Sequence, residues 1–508
     1  MSHGSHDRVV IVGAGLAGLY CALRLAPLPC VIIAAEPLGD GAASAWAQGG
    51  VAAALAQTDS AEAHAADTIA AGAGLSDPAI ARLLAEDGPA RVRHLANLGA
   101  PFDRDARGEF ALSLEAAHSH ARVARVGGDQ AGAAIMATLI AQVRNRPGVE
   151  IVENARARAL LQDTEGRVCG VLIRDAAGQD VHVRGRAVVL ASGGLGGLYA
   201  VTTAPAGVRG DALAMAAQAG ADLGVVEFVQ FHPTALDVGA DPAPLATEAL
   251  RGDGAILVDQ TGRAFMTDYD PRGDLAPRDV AARAIHHERV AGRGAFLDVR
   301  RAIGDAFPRR FPRVFAAAMT AGLDPRLAPL PVAPAAHYHM GGVWTDADGR
   351  ATLEGLFVIG EAACTGAHGG NRLASNSLLE GLVFADRAAR AIQSNPMRNP
   401  APGLQPPPRT TDWPLPALDL LRRAMSRYAG VERDAEGLQT LLERIDALTH
   451  AHGVSLPGIA AIQVARAALA REESRGAHFR LDFPQPAKEA RRTRIRPGDA
   501  LAGVKGSP

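Results

Sequence analysis

Arg278, Arg372, His232, His337 and Thr247 are the side chains of this sequence whose types combine most readily into one piece of chemistry. They lie in VVEFVQFHPTAL (225–236), LATEALRGDGAIL (245–257), LAPRDVAARAIHHE (275–288), AAHYHMGGVWTD (335–346) and HGGNRLASNS (368–377). Arginine forks bind carboxylates bidentately, and histidine and threonine add donors for a second carboxylate. The set therefore suits a small dicarboxylate, whose central carbon is acidified when both carboxylates are polarised and so exchanges hydride more readily. Singly, each residue reads as well as a satisfied structural histidine or a surface arginine. Together, between glycine-rich loops, they read as a pocket.

A second cluster is LEAAHSHAR (114–122), with Glu115, His118, His120 and Arg122. Glu-x-x-His-x-His is not a standard zinc spacing, and the local pattern leaves open a metal site, an acid/base cluster or a pocket wall.

Several elements have to position these groups. The chain of 508 residues holds two or three domains. Its net charge of −2 carries no basic footprint for nucleic acid. Positive charge is almost all arginine, Lys488 and Lys505 being the two lysines. Four cysteines without a Cys-x-x-Cys read as reduced, buried thiols of a cytoplasmic protein. The apolar stretch 9–35 is interrupted by Arg24, prolines and spaced glycines, and reads as neither signal peptide nor membrane span.

That stretch runs strand, glycine turn, helix, strand. Gly13 permits the tight turn, Gly15 lets backbone N–H groups approach a pyrophosphate, and Gly18 lets the helix lie close on the sheet. Glu36 stands near where an acidic residue binds the adenosine ribose, one position beyond the expected strand end, with a solvated loop carboxylate as the alternative. GRAVVLASGGLGGLY (185–199) is another buried strand ending in glycines. In 353–390 a strand leads to Glu361 and a long helix whose N-terminus falls near Ser375–Leu378. A cofactor touched by an early, a middle and a late segment is long, which favours FAD over NAD. Glu361 then bonds a ribityl hydroxyl, and the helix N-terminus faces the end of the flavin where charge accumulates on reduction.

With SAWAQGGVAA (44–53), FHPTAL (231–236), TEALRGDGA (247–255), APRDV (276–280), HYHMGG (337–342) and GNRLASNSLLEGLVF (370–384), the chain resembles the fumarate reductase/succinate dehydrogenase flavoprotein superfamily, and within it the L-aspartate oxidase branch. The resemblance implies an α/β, Rossmann-like FAD-binding domain from 1–223 and 341–395, with an inserted α+β capping domain at 224–340. The six prolines within 396–408 mark a linker, placed at 396–416, before a C-terminal helical domain and tail at 417–508. The resemblance also places Leu16, Ser44, Gln48, Gly49, Gly50, Asp211, Ser377 and Leu378 against the cofactor, beside the glycines and acids above. His232, Thr247, His337 and Arg372 would hold the substrate carboxylates, and Arg278 would relay a proton. Physical chemistry alone makes Arg278 an electrostatic clamp, since arginine is a poor base.

Three positions speak to the branch. Ala43 stands where respiratory relatives carry the histidine that bonds FAD covalently, so FAD is expected to be non-covalent. Gln48 gives the Ala-Gln-Gly-Gly form of the oxidases. Glu115 falls in the block that contacts the substrate amine, with a helix-surface carboxylate as the alternative; His118 and His120 are expected to pack near the flavin or neighbouring loops, with no metal. The tail ESRGAHFRLDFP (473–484) also resembles the oxidases. His339 departs from the family pattern and is expected either to add a donor near a substrate carboxylate or to tune a nearby pKa. The implied reaction oxidises L-aspartate to iminoaspartate with O2 or fumarate as terminal oxidant. It supplies quinolinate synthesis and NAD biosynthesis, and makes quinolinate synthase a functional neighbour. The alternatives are a soluble fumarate reductase, a succinate dehydrogenase flavoprotein subunit, or a catalytically silent FAD-binding module.

Overall fold

In the computed structural model, residues 7–394 and 400–498 are described. Five short strands form an all-parallel sheet in the order Leu356–Val358, Ala187–Leu190, Val9–Val12, Cys30–Ile33, Val149–Val152. The four residues of Val9–Val12 are all buried, as a sheet covered on both faces requires. The three segments assigned to one extended cofactor thus meet as adjacent strands. Helices Leu16–Arg24 and Asn376–Ser394 pack against each other over this sheet, sharing a hydrophobic cluster that includes Leu19, Leu382 and Ile392.

A second, antiparallel sheet joins Val229–Leu236, Leu330–His339, Phe296–Asp298 and Ile256–Val258. It has its own hydrophobic cluster, which includes Leu236, Phe265, Phe307 and Leu330. The first of its strands runs through His232-Pro233-Thr234. The register shifts between His232 and Ala235, so Pro233 sits in a bulge where its missing N–H leaves no ladder bond unmade. A second shift, between Gln230 and Phe231, leaves His337 as an extra residue on the partner strand.

Helix Arg278–Val290 begins at Arg278 itself, with Pro277 as its N-cap, so the arginine is the first helical residue. Three helices, Leu415–Tyr428, Ala435–His452 and Leu456–Ala470, follow the proline-rich segment and are succeeded by an irregular tail. Part of that segment, 395–399, lies outside the described residues. Its remainder is pinned along the sheet of strand Arg156–Gln162: Gln405 N–H donates to the Gln162 carbonyl at 2.9 Å and Ala401 N–H to Asp163 at 2.8 Å. Among the described residues no helix is long and apolar enough to cross a membrane.

Gly13 has φ +114°, and a Cβ there would stand 2.3 Å from the Ala191 carbonyl oxygen. A Cβ on Gly18 would stand 2.0 Å from the Gly13 oxygen. Gly18→Ala therefore forces the helix off the turn. It is expected to destabilise the protein by about 2 kcal/mol or more, read as a lower melting temperature with loss of bound flavin.

Candidate active site

One cavity of about 560 Å³ runs from the Gly13–Leu16 turn to Arg278 and Arg372. Its lining includes Glu36, Ser44, Gln48, Gly49, Gly50, Asp211, Glu361, Ser377 and Leu378 at the cofactor end, and Glu115, His232, Thr247 and His337 at the other. Gly18 does not line it and acts by close packing of the helix. Glu36 lies three residues beyond strand Cys30–Ile33, further than expected, and its exposed carboxylate still borders the cavity.

The cofactor end fits a long, polar, anionic group. Buried polar atoms on lining residues lack partners there among the described residues: Gln48 Oε1, Ser192 Oγ and Asp211 Oδ1. Gly13 and Gly15 present bare backbone at the start of helix Leu16–Arg24, the arrangement that receives a pyrophosphate. Arg156, not singled out in the sequence, also lines this end and holds Asp211 Oδ2 through Nε at 3.0 Å. No motif marks it, because its strand, Arg156–Gln162, belongs to a separate three-stranded sheet.

At the substrate end Arg278 donates through Nε to Glu248 Oε2 at 2.6 Å and through Nη1 to Gln230 Oε1 at 3.0 Å. Arg251 donates to the other Glu248 oxygen at 3.1 Å. Burial would raise the Glu248 pKa, but Arg278 and Arg251 outweigh it and hold the carboxyl below its usual value. The sequence showed Glu248 and Arg251 in one motif, whereas their link to Arg278 is a product of folding. Arg372 places its guanidinium 4.9 Å from the centre of the Tyr338 ring. Burial first, and Arg278 second, push its pKa down to about 10, which still leaves it charged at neutral pH. Its Nε is buried without a partner among the described residues.

His232 and His337 stand edge to face, 5.1 Å between ring centroids. Burial, then the neighbouring Arg278, hold both well below the ordinary histidine pKa, so both are neutral. The Thr234 N–H donates to His232 Nδ1 at 3.3 Å, which puts the ring proton on Nε2. Two fixed cations and two neutral imidazoles thus converge, which suits a dianion.

Glu115 sits in a loop and is 4% exposed, which excludes the helix-surface alternative. Its Oε2 accepts from Ser375 Oγ at 2.8 Å. Burial, followed by repulsion from Glu248, raises its pKa. A Cβ on Gly49 would stand 2.9 Å from both the Glu115 and the Ser375 side-chain oxygens, so that glycine makes room for the pair. His118 packs on the Ala374 carbonyl and His120 lies near Asp59; neither lines the cavity.

His339 does not reach the substrate end. The bulge at His337 breaks the strand's alternation, so His337 and Tyr338 both line the cavity, while His339 bonds the Val226 carbonyl at 3.0 Å. Its backbone N–H donates to Glu361 Oε1 at 3.0 Å.

Burial, the dominant cause, raises the Glu361 pKa from 4.5 to about 7. The folded state thus binds this proton more tightly than the unfolded one. The stability contributed is full below about 4.5 and lost as pH rises through about 7. Glu361→Gln stays neutral throughout. In flavin-free protein it is expected to raise the melting temperature at pH 8, by a stabilisation on the order of 2 kcal/mol, and to match the parent only below about pH 4.5.

Comparison with known proteins agrees with this geometry. The family described as FAD binding domain matches residues 8–378, and that described as fumarate reductase flavoprotein C-term matches 457–495. L-aspartate oxidase of Caulobacter vibrioides is 61% identical over 479 residues, 94% of this chain and 93% of the relative. That of Bacillus subtilis is 39% identical over 496 residues, 94% of this chain and 92% of the relative. Among solved structures, E. coli quinol fumarate reductase FrdA superposes with a TM-score of 0.86 at 28% identity, covering 95% of this chain and 92% of that one. Mycobacterium smegmatis Sdh1 superposes with a TM-score of 0.80 at 31% identity, covering 94% and 90%. With an FAD binding domain matched over most of its length and aspartate oxidases aligned almost end to end, the chain belongs to the L-aspartate oxidase family of FAD-dependent flavoproteins.

Proposed function

We propose that the protein oxidises L-aspartate to iminoaspartate, and that O2 or fumarate takes the electrons. The observation that carries this reading is Glu115, a buried carboxylate on the same cavity as Arg278 and Arg372. Aspartate differs from succinate by its α-amino group. A buried carboxylate at that group gives a charge-assisted bond that succinate and fumarate cannot return. The alternative, a soluble fumarate reductase or succinate dehydrogenase flavoprotein subunit, uses the same arginines and gives Glu115 no group of the substrate to bind.

In this reading Arg372, His232, His337 and Thr247 clamp the two carboxylates of the substrate, and Glu115 orients its amine. FAD, held along the Gly13–Glu361 end of the cavity, would supply a two-electron acceptor for the hydride of the α-carbon, the amine reacting in its deprotonated form. Arg278 stabilises negative charge as it develops and, with fumarate bound, delivers a proton. Glu248, 2.6 Å from its Nε, is the group in place to reprotonate it. The segment 224–340, with its own sheet and hydrophobic cluster, acts as a cap that excludes water over a FAD domain of 1–223 and 341–395, followed by the linker 396–416 and the helical unit 417–508. The buried free thiols suit a cytoplasmic enzyme, and an unstable imine product suits a close functional link to quinolinate synthase.

Ala43, which offers no side-chain nucleophile, leads to non-covalent FAD. Acid precipitation is expected to leave all the flavin in the supernatant, whereas flavin retained in the pellet refutes this. Anaerobic aspartate is expected to bleach the flavin absorbance. Glu115→Gln is expected to lower kcat/KM for aspartate by about 100-fold and for fumarate reduction by less than about threefold. Equal losses on both substrates would show that Glu115 is structural.

A further inference from the structure

The motif around Glu115 contains more than the carboxylate. Ser375, which donates to Glu115, has φ +59°, a left-handed conformation that a serine rarely adopts. Its two neighbours are each held by a buried histidine. His118 Nε2 lies 2.9 Å from the Ala374 carbonyl oxygen, and His64 Nε2 lies 2.8 Å from Asn376 Oδ1.

Both tautomers are forced by their surroundings. Arg122, which can only donate, lies with Nη1 3.2 Å from His118 Nδ1, so the His118 proton sits on Nε2 and is donated to Ala374. Thr68 Oγ1 donates to the His64 carbonyl at 2.9 Å and therefore accepts from Asn376 Nδ2 at 3.0 Å. The Asn376 oxygen then faces His64 Nε2, which must carry its proton. Burial, the largest cause, pushes both histidines down to about 4, so both stay neutral at physiological pH. Arg122 is in turn fixed by Asp59, at 2.9 and 3.0 Å, and by Asp67, at 2.5 Å. The His118 backbone N–H also closes the turn onto the Glu115 carbonyl at 3.2 Å.

We infer that His118 and His64 are positioning residues for substrate choice: as fixed neutral donors they hold Ser375 in its left-handed conformation, and Ser375 aims Glu115 at the substrate amine. Neither histidine lines the cavity. The inference rests on the proposed role of Glu115 and assigns the selectivity for aspartate to a network reaching helix Ala61–Ala71 as well as to that one carboxylate.

The test compares His118→Ala, His64→Ala, Glu115→Gln and the double variant Glu115→Gln/His118→Ala, all flavin-loaded, in aspartate oxidation and in fumarate reduction by a reduced dye. Each histidine variant is expected to lose about tenfold in kcat/KM on aspartate and less than about threefold on fumarate. The double variant is expected to be no worse on aspartate than Glu115→Gln alone, because His118 acts only through that carboxylate and has nothing left to aim once it is gone. His118→Gln, which keeps a donor, is expected to recover most of the loss. Equal losses on both substrates, or losses that multiply in the double variant, overturn the inference even when Glu115→Gln alone remains selective. Equal losses in Glu115→Gln overturn the underlying role of Glu115 instead. Loss of flavin from both histidine-to-alanine variants also overturns the inference, assigning the network to cofactor retention.

Discussion

Arg278 and Arg372 keep two positive charges in one buried cavity, and much of the structure follows from the cost of holding them there. A buried cation is tolerated when it is paired and hydrogen-bonded. Arg278 has Glu248 and Gln230; Arg372 has the Leu373 carbonyl and the face of Tyr338. The compensation is incomplete: the Arg372 Nε is buried without a partner among the described residues. A dianionic substrate held there, as proposed, would complete it, so that binding and charge relief would be the same event. The two histidines add donors without adding charge, since the arginines and burial keep them neutral.

Holding those arginines needs elements from distant parts of the chain. Arg278 starts one helix and Arg372 lies in the loop before another. The C-terminal tail braces that loop, with the Ala477 N–H donating to the Gly370 carbonyl at 2.9 Å. Gly476 packs so closely that a Cβ on it would meet the Gly370 oxygen at 2.4 Å. The tail is therefore part of the site's frame, although it supplies no lining residue.

Much of this was legible in order along the chain. The Gly13, Gly15 and Gly18 spacing announces a strand, a turn and a helix, because few other sequences tolerate a carbonyl and a pyrophosphate so close to the backbone. The short apolar runs at 9–12, 187–190 and 356–358 read as buried strands, and they pair in parallel. Arg278, Arg372, His232 and His337 were identifiable as residue types, since few combinations other than a carboxylate pocket require them together.

What the linear chain left undecided was direction and partnership. By strand alternation His337 and His339 should share a face, yet one extra residue at the bulge turns His339 away and brings Tyr338 to the cavity. Glu115 kept a helix-surface carboxylate as its alternative reading until folding set it against Ser375, 260 positions away, and withdrew it from water. Arg156 carried no motif at all. The sequence by itself determined the fold and the cofactor class, because these depend on local spacing that the backbone reads directly. The tertiary structure alone decided which carboxylate is buried on the cavity and what holds it there, because burial and hydrogen-bond partners arise between residues that only folding brings together.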